Sequence, residues 1–253
     1  MILSTILNII LYFIGIISFL SISLLGISFL NIYIINKLMN PTKLFKNDKK
    51  QALFFIGIAT DFCVNASVKD ALKIKKKYNN KKIYIIEDVC RGVDPINSKH
   101  ILKEHYNNEV IQIFSYDIAE EIEDLQSKNY ETNLIVIDTQ NDFIEGSLAV
   151  DNTNEIIPKI NNLLQEDFIK IYFSLDWHPY NHTSFKKYGG LWPTHCVKNT
   201  WGSKIHKDIK YNSYIHGTIY KGTNKNYEQY SALSKDNIYC NPLFPICILR
   251  FII

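Results

Sequence analysis

The side chains best suited to chemistry in this sequence are few and far apart. In SLDWHPYNHTSF (174–185), Asp176, His178 and His182 fall close together, and His195 follows in WPTHC. One carboxylate with several imidazoles suits a divalent metal held with an open coordination position: zinc, or iron or manganese. A polar, hydrogen-bonded loop explains any one of these histidines equally well, but three with an aspartate among tryptophans favour a metal site. Asp138 closes the apolar run LIVID, where an unpaired carboxylate is costly and its pKa rises, so it is either ion-paired or a base. Lys221 closes the run GTIYK; it suits an ion pair with a buried acid, or a partner that sets the protonation of an acid and a thiol. Cys63 lies just past FFIGIATD. Taken alone it reads as a small buried hydrophobe. Near a helix N-terminus capped by Thr60 or Asp61, it would meet unsatisfied N–H groups that favour a thiolate and face an oxyanion. Cys90, Cys240 and Cys247 read as packed thiols.

These residues need a scaffold that brings them to one place. Apolar, β-rich runs at 52–58, 82–88, 109–114, 133–138, 169–175 and 217–221 have the continuous character of strands buried on both faces of a parallel sheet. Between them, Val64, Val68, Ala71 and Leu72 recur at helical spacing, and 97–106, 117–128 and 153–165 also read as helices. The alternation predicts a three-layer α/β fold: a six-stranded, mostly parallel sheet with helices on both faces, preceded by an N-terminal apolar helix. Ligands of such sheets bind beyond the carboxyl ends of the strands. Asp138, Asp176, Lys221 and Cys63 all lie at or just past strand ends and can share that rim. The tail 237–253, apolar and broken by two prolines, suits a sheet edge.

The formal charge of +3, from 28 basic and 25 acidic residues, argues against a nucleic-acid partner, and five cysteines without CxxC spacing argue for a reducing compartment. Residues 1–36 carry no charged side chain and exceed the roughly 18 apolar residues that suggest a membrane span. Lys37, Lys43, Lys46, Lys49 and Lys50 follow closely, which places the remainder on the cytoplasmic side with membrane anchoring through residues 2–36. The expected division is therefore a transmembrane segment at 1–36 and a catalytic domain at 37–253. Within the latter, 37–114 carries the cysteine, 115–132 connects, 133–236 carries the aspartate, metal and lysine blocks, and 237–253 is the tail.

IDTQNDF, DWHPYNHTSF, LWPTHCVKNTWGSKIH, YKGTNKNYEQYSA and GIATDFCV together resemble the nicotinamidase branch of the isochorismatase-like cysteine hydrolases. The resemblance implies an amidohydrolase that converts nicotinamide to nicotinate and ammonia through a cysteine thioester, with one divalent metal orienting the pyridine ring. The alternatives are another amidase of the superfamily, a non-catalytic metal-binding descendant, and a scrambled gene model. It also implies Cys63, Asp138 and Lys221 as the catalytic triad, and Ala59 and Cys63 N–H groups as the oxyanion hole. The implied metal ligands are Asp176, His178 and His195, with His182 as an additional one; Phe143, Trp192, Gln140 and Tyr230 are the substrate-binding residues. A cis peptide is implied at Ile58–Ala59. The cysteine block comes first here and the lysine block last, as in a circularly permuted family chain. The 18-residue connector 115–132 is long enough for that, reaching about 59 Å at ~3.3 Å per residue.

Overall fold

The computed structural model describes residues 42–211 and 215–240. Its strands are β1 Gln51–Ile58, β2 Lys81–Arg91, β3 Ile111–Ile113, β4 Glu131–Ile137, β5 Lys170–Asp176, β6 Ile215–Lys221 and β7 Ile238–Cys240, and they form one sheet in the order β3-β2-β1-β4-β5-β6-β7. The first six run parallel, as expected, and β7 pairs antiparallel with β6, so the start of the apolar tail closes one edge. The longer helices are α1 Asn65–Lys77, α2 Pro95–Asn107, α3 Ile118–Ser127 and α4 Ile157–Leu163.

Strand periodicity sends alternate residues to opposite faces. Ala52, Phe54, Ile56 and Ile58 of β1 join Tyr84, Leu134, Val136 and Phe173 in one buried layer with Ile118, Ile122 and Leu125 of α3 and Ile160 and Leu163 of α4. Phe54 stacks on Tyr84 at 4.3 Å between ring centroids and meets the edge of Phe168 at 5.3 Å. Leu53, Phe55, Ile83 and Ile85 have the opposite parity and are also fully buried, under the side that α1 and α2 cover with Val68, Ala71, Ile74 and Ile101.

The chain winds outward from β1 through β2 and β3. It then returns through α3 to place β4 on the other side of β1 and continues outward through β5 and β6. Connections therefore leave β1 and β4 in opposite directions, and a crevice opens beyond their carboxyl ends. Gly57 draws these two strands together. It has φ 115°, and a Cβ there would lie 2.0 Å from the Ile137 carbonyl oxygen.

Several expectations change in detail. The strand expected at 109–114 keeps only three residues, because Glu109 has φ 64° and the N–H groups of Asn108 and Val110 both donate to the His105 carbonyl, committing this stretch to the end of α2. The helix expected at 153–165 begins as a 3-10 turn, Thr153–Glu155, before α4. The transmembrane expectation is corrected: among the described residues no helix is long and apolar enough to cross a membrane, and residues 1–36, on which it rested, lie outside the described residues.

Candidate active site

Four adjacent strands deliver the site. β6 ends at Lys221, β5 at Asp176, β4 immediately before Asp138, and β1 leads through a cis Ile58–Ala59 peptide into a π-helical turn, Thr60–Val64, that holds Cys63 and runs into α1. Asp138 turns out of its strand with φ 52° while its N–H still donates to the Ser174 carbonyl, which keeps the carboxylate beside the neighbouring strands.

Lys221 is fully buried at the centre. Its Nζ lies 2.7 Å from Asp138 Oδ2, donates to Asp176 Oδ1, and reaches Cys63 Sγ at 3.4 Å. Thus one ammonium touches two carboxylates and the sulfur. Burial disfavours a charged lysine, but Asp138 and Asp176 outweigh it and hold Lys221 protonated. Burial likewise pushes Asp176 up, yet Lys221 and His178 keep its carboxyl well below the usual range. Asp138 is pushed up to about 7 by burial, with Lys221 opposing and Asp176 adding to the rise. Burial raises the Cys63 thiol well above its ordinary value, despite the attraction of Lys221. The resting arrangement is therefore a thiol beside a carboxyl poised to exchange a proton, rather than a preformed thiolate.

On the other side of Asp176, the Nε2 atoms of His178 and His195 lie 3.5 and 3.7 Å from Asp176 Oδ2. His178 Nδ1 faces the Gly222 carbonyl at 3.0 Å and His195 Nδ1 faces the Pro193 carbonyl at 2.8 Å. A carbonyl only accepts, so both rings carry a proton on Nδ1, and in its neutral form each ring presents Nε2 with a free lone pair. Buried His178 Nε2 has no hydrogen-bond partner. The donor atoms of Asp176, His178 and His195 all lie within 4.8 Å of one another, a set that fits one divalent metal. Gly222 is part of this arrangement, since a Cβ there would come within 2.3 Å of the His178 ring.

His182 does not join that group, which corrects the four-ligand expectation. Its Nδ1 accepts the Ser184 N–H at 3.2 Å, its ring lies tilted by 32° against His178 with centroids 4.2 Å apart, and its donor atoms group with His178 and Glu228 instead. Gln140 is also placed differently from expectation. It is fully buried, accepts the Asp176 N–H at 2.7 Å, and donates from Nε2 to the Asp176 and Ser203 carbonyls, so its amide clamps the metal-facing strand end and does not line the pocket.

Phe143, Trp192, Tyr230 and Ala59 do line the pocket above Cys63, together with Phe62 and Glu228, which the sequence reading did not single out. Trp192 Nε1 donates to Tyr230 Oη at 3.0 Å, and the edge of Phe62 meets Trp192 at 4.9 Å. The helix cap expected from Thr60 or Asp61 is absent: neither side chain caps the cysteine turn, and Asp61 bonds outward to the loop after β2. Aspartate two residues before a cysteine suggests a cap, and only the distant loop reveals its other partner.

Residues 132–230 match the isochorismatase domain family. The chain is 41% identical to a nicotinamidase of Saccharomyces cerevisiae, over 28% of this chain and 47% of that relative. It is 39% identical to a nicotinamidase of Acinetobacter baylyi, over 39% and 53%. Among solved structures, PnC1 from L. infantum in complex with nicotinate shares 36% identity, covering 41% of this chain and 54% of that one with a TM-score of 0.40. The pyrazinamidase of Pyrococcus horikoshii in complex with zinc shares 31%, covering 48% and 79% with a TM-score of 0.39. The chain spans about half the length of the curated relatives it matches.

Proposed function

Since residues 132–230 match the isochorismatase domain family, we propose that this protein is an amidohydrolase that converts nicotinamide to nicotinate and ammonia, with Cys63 as nucleophile. The observation that carries this reading is the buried contact of Lys221 with Cys63, Asp138 and Asp176, beside the histidine pair and beneath an aromatic pocket. The nicotinamidases among its relatives supply the substrate.

In this reading Asp138 takes the proton of Cys63 as the sulfur attacks the carboxamide carbon, and the carbonyl π electrons move to oxygen. The N–H groups of Ala59 and Cys63 are assigned to that oxyanion. Collapse of the tetrahedral adduct breaks the C–N bond, Asp138 returns its proton to the departing nitrogen, and ammonia leaves a thioester on Cys63. Asp138 then removes a proton from water as its oxygen attacks the thioester; the C–S bond breaks, Asp138 returns the proton to sulfur to restore the thiol, and the carboxylic acid ionises to carboxylate by losing its proton to solvent. Lys221 stays protonated throughout, stabilising the charged forms of Asp138 and the sulfur. Phe143 and Trp192 position the flat ring. Asp176, His178 and His195 would hold a divalent metal, which we assign as zinc, whose Lewis acidity would anchor the ring nitrogen. We read the cysteine-first order as a circular permutation; the adjacency of β1, β4, β5 and β6 supports it.

Ammonia release from nicotinamide by the full chain tests the proposal. Cys63→Ala should lower turnover by about 10⁴-fold or more while leaving metal content unchanged. An alanine variant that retains turnover refutes the nucleophile assignment.

A further inference from the structure

The loop that follows β2 is fastened to the cysteine turn by a side chain with no part in the chemistry above. Asp61, only 6% exposed, uses both carboxylate oxygens on it: Oδ1 accepts the Val93 N–H at 3.0 Å and Oδ2 accepts the Asp94 N–H at 2.9 Å. The loop lies close against this carboxylate. A Cβ on Gly92 would be 3.0 Å from Asp61 Oδ1 and 1.8 Å from Ser98 Oγ. Its far end is pinned as well, because Asp94 caps α2 by accepting the Ile96 and Asn97 N–H groups. Val93, between these two anchors, lines the pocket above Cys63 while remaining 46% exposed, so it forms part of the mouth.

We infer that Asp61 is a positioning residue that holds Val93 as a fixed rim over Cys63, limiting the site to small, flat carboxamides. The inference builds on the proposed reaction for its substrate class, but the rim itself concerns access to the sulfur and can be measured without turnover. Two charge-assisted hydrogen bonds to consecutive backbone N–H groups suit this task, since together they fix both the position and the orientation of the loop. Asp61→Asn keeps the shape of the side chain but replaces one acceptor with a donor, which opposes one of those two N–H groups.

The test is the rate at which Cys63, identified by peptide mapping, is alkylated in the full chain by bulky N-ethylmaleimide and by small iodoacetamide. Taking the ratio of the two rates cancels any change in thiol reactivity and leaves access. Asp61→Asn should raise that ratio about tenfold, in line with the loss of one backbone hydrogen bond, and Val93→Gly should do the same by removing the rim side chain. The double variant should exceed neither single, because both changes act on one element. Hydrogen exchange should show the Val93 and Asp94 amides losing protection in Asp61→Asn while the Val64 amide, bonded to Ala59, keeps it. Ratios within twofold of the parent in both single variants, or effects that multiply in the double, overturn the inference. If the parent fails to hydrolyse nicotinamide, the proposed function falls, and the alkylation ratios still decide the role of Asp61.

Discussion

Asp138 illustrates how one carboxyl acquires a task from its surroundings. Burial drives its pKa to about 7, with Asp176 adding to the rise and Lys221 opposing it. Below that value it carries a proton and cannot accept one from Cys63. The reaction should therefore accelerate as pH rises from 5 towards 7. A cation on Asp176 would offset part of the neighbouring negative charge, setting the acid limb of kcat/KM between the ordinary aspartate value and 7. A kcat/KM profile with no acid limb between the ordinary aspartate value of 3.8 and 7 would exclude Asp138 as the base. The sequence made Asp138 and Lys221 visible as charged residues ending apolar runs, and both are fully buried. What it left open was the allocation of partners. Lys221 serves two acids at once, Gln140 clamps a strand end, and His182 stands apart from the proposed ligands, because these choices depend on contacts across strands that local spacing does not encode.

The strands and helices were the most legible part of the chain, since continuous apolar runs and helical spacing follow directly from burial on both faces of the sheet. Ends were less so: β3 shortened where the turn closing α2 claimed its first residues, and β2 extended to Arg91, with a shift in its pairing to β1 between Phe55 and Gly57. Gly57 stands at that shift and lies against Ile137. Gly57→Ala should wedge β1 away from β4 and destabilise the protein by about 3 kcal/mol, the upper end for overpacking a tight interior, as measured by urea unfolding. A change under 0.5 kcal/mol would show that the two strands can separate there without penalty.

Across the molecule, the sheet order explains how a cysteine-first chain still assembles one site: β1 and β4 are neighbours although β2 and β3 lie between them in sequence. The five motif blocks indicated that these pieces belong together; they carried no signal for the link between Asp61 and the loop after β2, where two segments meet only in space. If Asp176, His178 and His195 hold zinc, the folded state alone presents all three, and chelation should lower the melting temperature. At free zinc 100-fold above Kd the stabilisation is about 2.7 kcal/mol, or roughly 5–10 °C for a chain of this size. Identical melting with zinc and with chelator would rule out a resident ion on those side chains.

Cys63 and Lys221 are 158 positions apart along the chain. At about 5–20 residues per second, a ribosome extrudes the sulfur roughly 8–30 s before the amine exists. A nascent polypeptide, or one cut short before β6, carries its thiol without the ammonium that completes the cluster, so the proposed centre cannot assemble until Lys221 has been made.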